Sequence, residues 1–342
     1  MRVAILGTGL IGSSIGLRLR RDAAKTHMEV VGYDRYQDVA RAAQKVGAID
    51  AVRHTPAHAV EAADIVILAT PLLAIRKMME EIAPVVGANT VIIDTGSTKT
   101  EVLRWAAELF PEHEGFVGGH PMAGKTETGP QAADGDLLEG ARWVVVPSVR
   151  ASERAINAAL WLAETLGAKS MFMDASEHDA YVAAISHMPL LAATAMFSME
   201  RASDAWPELS VLAAGGFRDT TRLAATDPAM AFDIAVTNRE HTVHWLNRYI
   251  GALVDLRERI MAPDQEEALF RQIAEASFEY TSFINGKVGR EEPSENAGST
   301  AAFSFQDFLA GGWMREKLSE VTQGADDRLA EIDRQKRQRR DV

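Results

Sequence analysis

No cysteine occurs in the 342-residue sequence, which excludes disulfides, thiolate metal sites and a cysteine nucleophile. A basic excess is also lacking: 36 Lys and Arg stand against 48 Asp and Glu, a formal charge of −12. Phosphate backbones are bound by basic faces, so nucleic acid is not expected as the main partner. No run of about 18 apolar residues stands out, so a membrane span is not expected. The opening MRVAILGTGLIG enters a strand pattern at once, without an n-region or cleavage site, so no signal peptide is expected. Internal repeats and long low-complexity tracts are missing as well. What remains is an ordinary globular composition, 47% hydrophobic and 25% charged, with length for about two domains. Each half is long enough to bury a core, and a cytoplasmic protein is the expectation.

The first half alternates short apolar runs with helical stretches. RVAIL (2–6), EVVGY (29–33), DIVILA (64–69), TVIID (90–94), GFVG (115–118) and RWVVVP (142–147) lack clean polar alternation. Such runs fit strands buried on both faces of a parallel sheet. Helical spacing lies between them, as in 72–86 and 100–110. An α/β, doubly wound Rossmann-type parallel sheet is therefore predicted for residues 1–174. From Ala175 to Ile260 no β-branched run of strand length appears, and Ala, Leu and Met recur at three- and four-residue spacings. An all-helical domain is predicted for 175–342, with a further helix at 266–284. Residues 286–304 read as a polar loop, 305–333 as helix, and RQKRQRRDV (334–342) as a short basic tail.

Gly7-Thr8-Gly9-Leu10-Ile11-Gly12 follows the first strand and opens a helix, and Asp34 ends the second strand. Gly7 permits the tight turn, Gly9 lets a pyrophosphate approach the backbone, and Gly12 lets helix and strand pack closely. The helix N-terminus favours the anion. Asp34 would accept hydrogen bonds from the adenosine ribose, which favours NAD, while the adjacent Arg35 keeps NADP possible. Thr70 and Pro71 end the third predicted strand, and Asp94–Lys99 the fourth, so both segments should line the dinucleotide cleft. Ser97 offers a hydroxyl near the nicotinamide end; it also fits an N-cap for the helix beginning near Thr100, and the two roles are compatible. His120, held between Gly118-Gly119 and Pro121 at the next strand's carboxyl end, is placed to act as a general base.

GTGLIGSSIG, the Ala69–Pro71 ATP, DTGSTK at 94–99 and GGHPMAG at 118–124 resemble the prephenate/arogenate dehydrogenases of tyrosine biosynthesis. SEHD at 176–179, SHMP at 186–189 and GGFRDTTRLAATDP at 215–228 extend the likeness over roughly residues 1–285. The resemblance implies an N-terminal Rossmann domain, a helical domain through which two chains form a homodimer, and a small-molecule substrate. It also implies oxidative decarboxylation. His120 would take the 4-hydroxyl proton of prephenate while hydride leaves C4 for NAD, and loss of CO2 aromatises the ring, so no metal need be supplied. Ser97 matches the family serine that orients this histidine. Arg222 matches the arginine that binds a substrate carboxylate, a role suited to a bidentate guanidinium. Arg218 would add positive charge, Asp219 would position its neighbours, and His187 would lie near the substrate cleft. Without the resemblance, Arg222 reads as a surface or interdomain salt-bridge partner and His187 as a satisfied core histidine. His178 and Asp179 read as caps or braces of the first helix of the second domain.

The chain departs from the family at two places. Lys125-Thr126 follows GGHPMAG where many members carry Thr or Ser and then an acidic residue, and Leu190 stands where a second histidine is frequent. No ββ-rich segment suggests the regulatory ACT domain after residue 285. Arogenate is the alternative substrate. Another β-hydroxyacid dehydrogenase would need a lysine in the helical domain, yet none occurs between Lys169 and Lys287. A non-catalytic dinucleotide sensor would have no need of both His120 and Arg222.

Overall fold

The run Arg2–Leu6 (β1) carries apolar side chains on both of its faces. The computed structural model, which describes residues 1–21, 27–125 and 127–286, shows why. Val3, Ala4, Ile5 and Leu6 are all fully buried. Val3 and Ile5 face one core, and Ala4 and Leu6 the other, the period-two alternation of a strand covered on both sides. Truncating any of the larger ones to alanine would cost about 2–5 kcal/mol.

The elements following β1 are Leu10–Arg21 (α1), Glu29–Tyr33 (β2), Gln37–Lys45 (α2), Ala51–Val52 (β3), Pro56–Val60 (α3) and Ile65–Leu68 (β4). Then come Leu72–Ile82 (α4), Val91–Asp94 (β5), Thr100–Leu109 (α5), Phe116–Pro121 (β6), Arg142–Pro147 (β7), Glu153–Thr165 (α6) and Lys169–Phe172 (β8). They form one eight-stranded sheet in the order β3-β2-β1-β4-β5-β6-β7-β8. The strand order reverses between β1 and β4, which opens a crevice at their carboxyl ends. Helices α1 and α6 pack Ile15, Leu19, Ala159 and Leu162 on one face; α4 and α5 pack Ile75, Met79, Val102 and Trp105 on the other.

The predicted doubly wound sheet is present, with two strands that the pattern did not reveal. β3 is only two residues long, and β8 is an exposed edge whose sequence, KSMF, lacks an apolar run. β6 and β7 pair antiparallel, so the sheet is mixed at that junction. This pairing carries β6 through His120 and Pro121, beyond the 115–118 expected.

Beyond Phe172 the chain is helical: Ala175–Val182 (α7), a π-turn at Ala183–His187, Met188–Arg201 (α8), Trp206–Leu212 (α9), Gly215–Thr221 (α10), a 3-10 turn at Arg222–Ala225, Pro228–Thr237 (α11) and Arg239–Met261 (α12). The Asp174 carboxylate caps α7 by accepting the N–H groups of Ser176 and Glu177. Ala175–Arg201 is a continuous helix, and an 18-residue stretch within it, with mean hydropathy 1.5, is long and apolar enough to cross a membrane by length and composition alone. Ser186, His187 and Pro189 punctuate that run in the sequence, which hid it. Its buried His178, Asp179 and His187 hydrogen-bond within the protein, which offsets the cost of burying polar groups.

A compact unit spans Met1–Gly251, and Ala252 opens a second. Within the second, a 3-10 turn at Pro263–Gln265 leads into Glu266–Ile284 (α13), where the sequence predicted a helix. Ile273, Tyr280, Phe283 and Ile284 of α13 are exposed. The loop, helix and basic tail expected beyond residue 286 lie outside the described residues.

Candidate active site at the carboxyl edge of the sheet

β1, β4, β5 and β6 run parallel, so Gly7, Thr70, Ser97 and His120 all come from one edge of the sheet. Gly7 has φ +97°, a conformation open to glycine. A Cβ there would sit 2.5 Å from the Ala69 carbonyl oxygen, and one at Gly12 would sit 2.0 Å from that of Gly7. At Gly9, by contrast, a Cβ would meet nothing within 4 Å. The turn is tight where backbone meets backbone and open where a pyrophosphate would approach. Leu10 and Ile11 begin α1, whose first-turn N–H groups have no acceptor within the helix. Asp34 stands just past β2 and accepts from the Thr8 N–H at 3.0 Å and the Tyr36 N–H at 3.0 Å. Arg35 lies over the Tyr36 ring, 4.6 Å from its centroid. The Thr70 hydroxyl is buried without a hydrogen-bond partner among the described residues, and Pro71 immediately precedes α4. An open cradle, an unpartnered hydroxyl and a carboxylate just past β2 fit a dinucleotide.

Behind His120 lies a buried staple. The Asp94 carboxylate accepts from Gly96 N–H at 2.7 Å and Gly119 N–H at 3.3 Å. The Lys99 ammonium pairs with Asp94 and donates to the Gly119 carbonyl at 2.8 Å. Burial pushes Lys99 down and Asp94 up from their ordinary values. The two glycines before His120 are dictated by this crowding, since a Cβ at Gly119 would sit 2.6 Å from the Asp94 carbonyl.

His120 itself is half-buried. Its Nδ1 lies 2.8 Å from Nε2 of His178, and the rings meet edge to face. His178 Nδ1 in turn lies 2.8 Å from Asp179 Oδ1. Burial pushes His120 well below the usual histidine range, and positive charge at His178, Lys99 and His187 acts in the same direction. Burial alone would raise Asp179; hydrogen bonds from His178 and from the N–H groups of Thr100 and Lys99 hold it below the usual carboxylate range.

Asp179 also corrects two sequence expectations. It does not brace its own helix: its carboxylate accepts the N–H groups of Lys99 and Thr100, capping α5 from 80 residues away. Ser97 therefore does not cap α5. It is half-buried, and its hydroxyl makes no hydrogen bond among the described residues. Asp233 of α11 repeats the device at α4, accepting the Leu73 N–H at 3.0 Å. Two carboxylates from the helical segment thus cap two helix N-termini at the sheet's active edge, where a negative charge is stabilised by the helix dipole.

His187 is buried on the π-turn, a helical irregularity frequent at functional sites. Its Nδ1 accepts from Asn238 Nδ2 at 3.2 Å, and the same amide donates to the Asp179 carbonyl at 2.7 Å. Burial lowers His187 to about 4, against the pull of Asp179. Arg218, Asp219 and Arg222 are exposed on α10 and the following turn, which pack on α8. Among the described residues none of the three forms an ion pair, so the surface or interdomain salt bridge that the residues alone suggested for Arg222 is not made there. The structure joins His120 to His178, Asp179 and the Lys99 staple, a set that sequence reasoning missed apart from His120. The adjacent His-Asp within SEHD was the available signal.

The prephenate dehydrogenase nucleotide-binding domain model matches residues 15–172, and the prephenate dehydrogenase dimerization domain model matches 174–275. Prephenate dehydrogenase of Bacillus subtilis is 33% identical over 79% of this chain and 72% of its own length. The crystal structure of prephenate dehydrogenase from A. aeolicus with hydroxyphenyl propionate and NAD+ is 26% identical, covers 83% of this chain and 98% of its own, and superposes with a TM-score of 0.76. Synechocystis arogenate dehydrogenase is also 26% identical, covering 83% of this chain and 100% of its own, with a TM-score of 0.70. With both halves matched in order, the chain belongs to the prephenate dehydrogenase family.

Proposed function

We propose that the chain is an NAD-dependent prephenate dehydrogenase, converting prephenate to 4-hydroxyphenylpyruvate and CO2 in tyrosine biosynthesis. The observation that carries this is the hydrogen bond at 2.8 Å between His120 Nδ1 and His178, which leaves Nε2 of His120 as the base atom. NAD+, when bound on the Gly7–Gly12 turn, supplies the hydride acceptor. His120 Nε2 takes the 4-hydroxyl proton, and the electron pair of that O–H bond becomes available to form the C4 carbonyl as hydride leaves C4. The C–CO2 bond electrons then enter the ring as CO2 leaves, giving a phenolate that takes the proton back from His120 to become the phenol. The depressed basicity of His120 keeps its ring neutral at pH 7 and ready to accept. Ser97 would bond the same hydroxyl, and Arg222 would grip a carboxylate with two N–H groups. Arg218 would add positive potential, Asp219 would orient the two arginines, and His187 would close the pocket from the π-turn.

Asp34 supports NAD over NADP, since a carboxylate there repels a 2′-phosphate. Residues 1–174 would be the nucleotide domain and 175–342 the substrate and dimerisation domain of a cytoplasmic homodimer. Exposed Ile185, Met199, Val211, Leu212 and Phe232 on the helical segment support that pairing. The test is steady-state reduction of NAD+ and of NADP+ with prephenate and with arogenate. Prephenate with NAD+ is expected to give the highest kcat/KM, with CO2 and NADH released one to one. Preference for arogenate would reassign the substrate, and silence with both would overturn the proposal.

A further inference from the structure

We infer that His178 and Asp179 are positioning residues that fix the tautomer of His120 and take up its positive charge during turnover. The inference rests on His120 being the base. It follows from which atoms can donate. The Asp179 carboxylate only accepts, and Oδ1 already receives the Lys99 N–H at 2.8 Å, so His178 Nδ1, 2.8 Å away, must carry a proton. A neutral His178 then has a bare Nε2, which can only accept. The partner at 2.8 Å, His120 Nδ1, must therefore donate. His120 is left with a lone pair on Nε2, the atom a general base needs. The chain of three groups sets a proton position at one end from a carboxylate at the other.

The same chain accommodates the proton that His120 gains. When Nε2 takes a proton, the Nδ1 proton can pass to His178 Nε2. His120 is then neutral with its proton on Nε2, and His178 is an imidazolium against the Asp179 carboxylate. One proton has entered and none has left. Without this route the positive charge would stay on His120, beside Lys99 and in a buried setting that disfavours it. The groups facing His120 are His178, Lys99 and His187. Asp94 offsets Lys99, and Asn238 ties the Asp179 carbonyl to His187. Asp179 is the carboxylate in direct contact with the pair. Its anchoring is over-determined, because the N–H groups of Lys99 and Thr100 hold its two oxygens.

Asp179→Asn tests the tautomer. An amide NH2 in the Oδ1 position meets the Lys99 N–H and demands a bare Nδ1 on His178, which reverses both rings and puts a proton on His120 Nε2. Set in the Oδ2 position it meets the Thr100 N–H. The plateau of kcat/KM should fall, by up to about 10⁴-fold for a wrong tautomer. Its acid limb should move to lower pH, because a negative charge that favours the protonated pair is gone. A purely structural role lowers the plateau without moving the midpoint. Should Asp179→Asn fail to fold, the His178 pair decides: Gln can still accept the His120 Nδ1 proton, whereas Leu cannot. His178→Gln is expected to turn over at least about tenfold faster than His178→Leu, with equal NAD+ affinity. Equal kcat for the two His178 variants, or an Asp179→Asn acid limb at the wild-type midpoint, would overturn the inference. His120→Asn run beside them separates the levels. If it stays active, the base assignment falls and takes the relay with it. If it is silent while the His178 variants are equal, the relay alone falls.

Discussion

The Gly7–Gly12 turn separates folding from cofactor binding at the level of single methyl groups. Gly9→Ala adds a Cβ that meets no atom of the described residues within 4 Å. The residue directly precedes α1, where exchanging glycine for alanine costs under about 1 kcal/mol. Its melting temperature should therefore stay within about 3 °C of wild type. The methyl instead fills the space through which a pyrophosphate reaches the backbone. Losing one charge-assisted hydrogen bond there costs about 1.5–3 kcal/mol, or roughly 10- to 150-fold in the NAD+ dissociation constant. Gly7→Ala behaves oppositely. Its φ of +97° and the 2.5 Å approach to the Ala69 carbonyl should cost about 3 kcal/mol or more, lowering Tm by about 6–12 °C. Calorimetric NAD+ titration alongside thermal melts reads both quantities. An unchanged NAD+ affinity in Gly9→Ala, or a collapsed Tm in that variant, would refute the placement of the pyrophosphate on this turn.

Arg222→Ala should raise KM for prephenate by about 10- to 150-fold while leaving NAD+ affinity alone, the scale of a lost ionic hydrogen bond; an unchanged KM removes Arg222 from the substrate site. Asp34→Ala should raise kcat/KM with NADP+ relative to NAD+, because the carboxylate that repels a 2′-phosphate is gone; an unchanged ratio places ribose recognition elsewhere. His187, lowered from 6.5 to about 4, is kept neutral by folding, so the unfolded chain binds the proton first. The associated stability is complete above pH 6.5 and is lost as pH falls toward 4, by about 3 kcal/mol. Urea unfolding from pH 7 to 4.5 should show this loss in wild type and a shallower one in His187→Gln; parallel slopes would count against it.

The legible parts of the fold were those whose residues record their own burial. The runs at 3–6, 65–68 and 91–93 are apolar throughout because helices cover both faces, and the glycine turn with Asp34 carries its spacing in the sequence. β8 was hidden because an exposed edge strand such as KSMF has no apolar pattern to read. β6 exceeded its predicted length because the extension depends on antiparallel pairing with β7, a partner that local pattern does not name. At the site, His120 stood out through the two glycines before it. The roles of His178 and Asp179 did not. Capping is read from neighbours in sequence, so Ser97 looked like the cap of α5 and Asp179 like a brace of α7. The actual cap comes from 80 residues away, and only the packing of α7 against α5 brings it there. Arg218, Asp219 and Arg222 rest on the resemblance, as among the described residues their side chains form no hydrogen bond or ion pair that would fix a role.

His120→Asn tests the central claim most directly. Asparagine retains the size and polarity of the site but cannot accept a proton at neutral pH. Measured with prephenate and saturating NAD+, kcat should fall by about 10²–10⁴-fold while the calorimetric NAD+ affinity stays at the wild-type value. Turnover that survives the substitution intact would contradict the account, since the base would then lie elsewhere on the carboxyl edge.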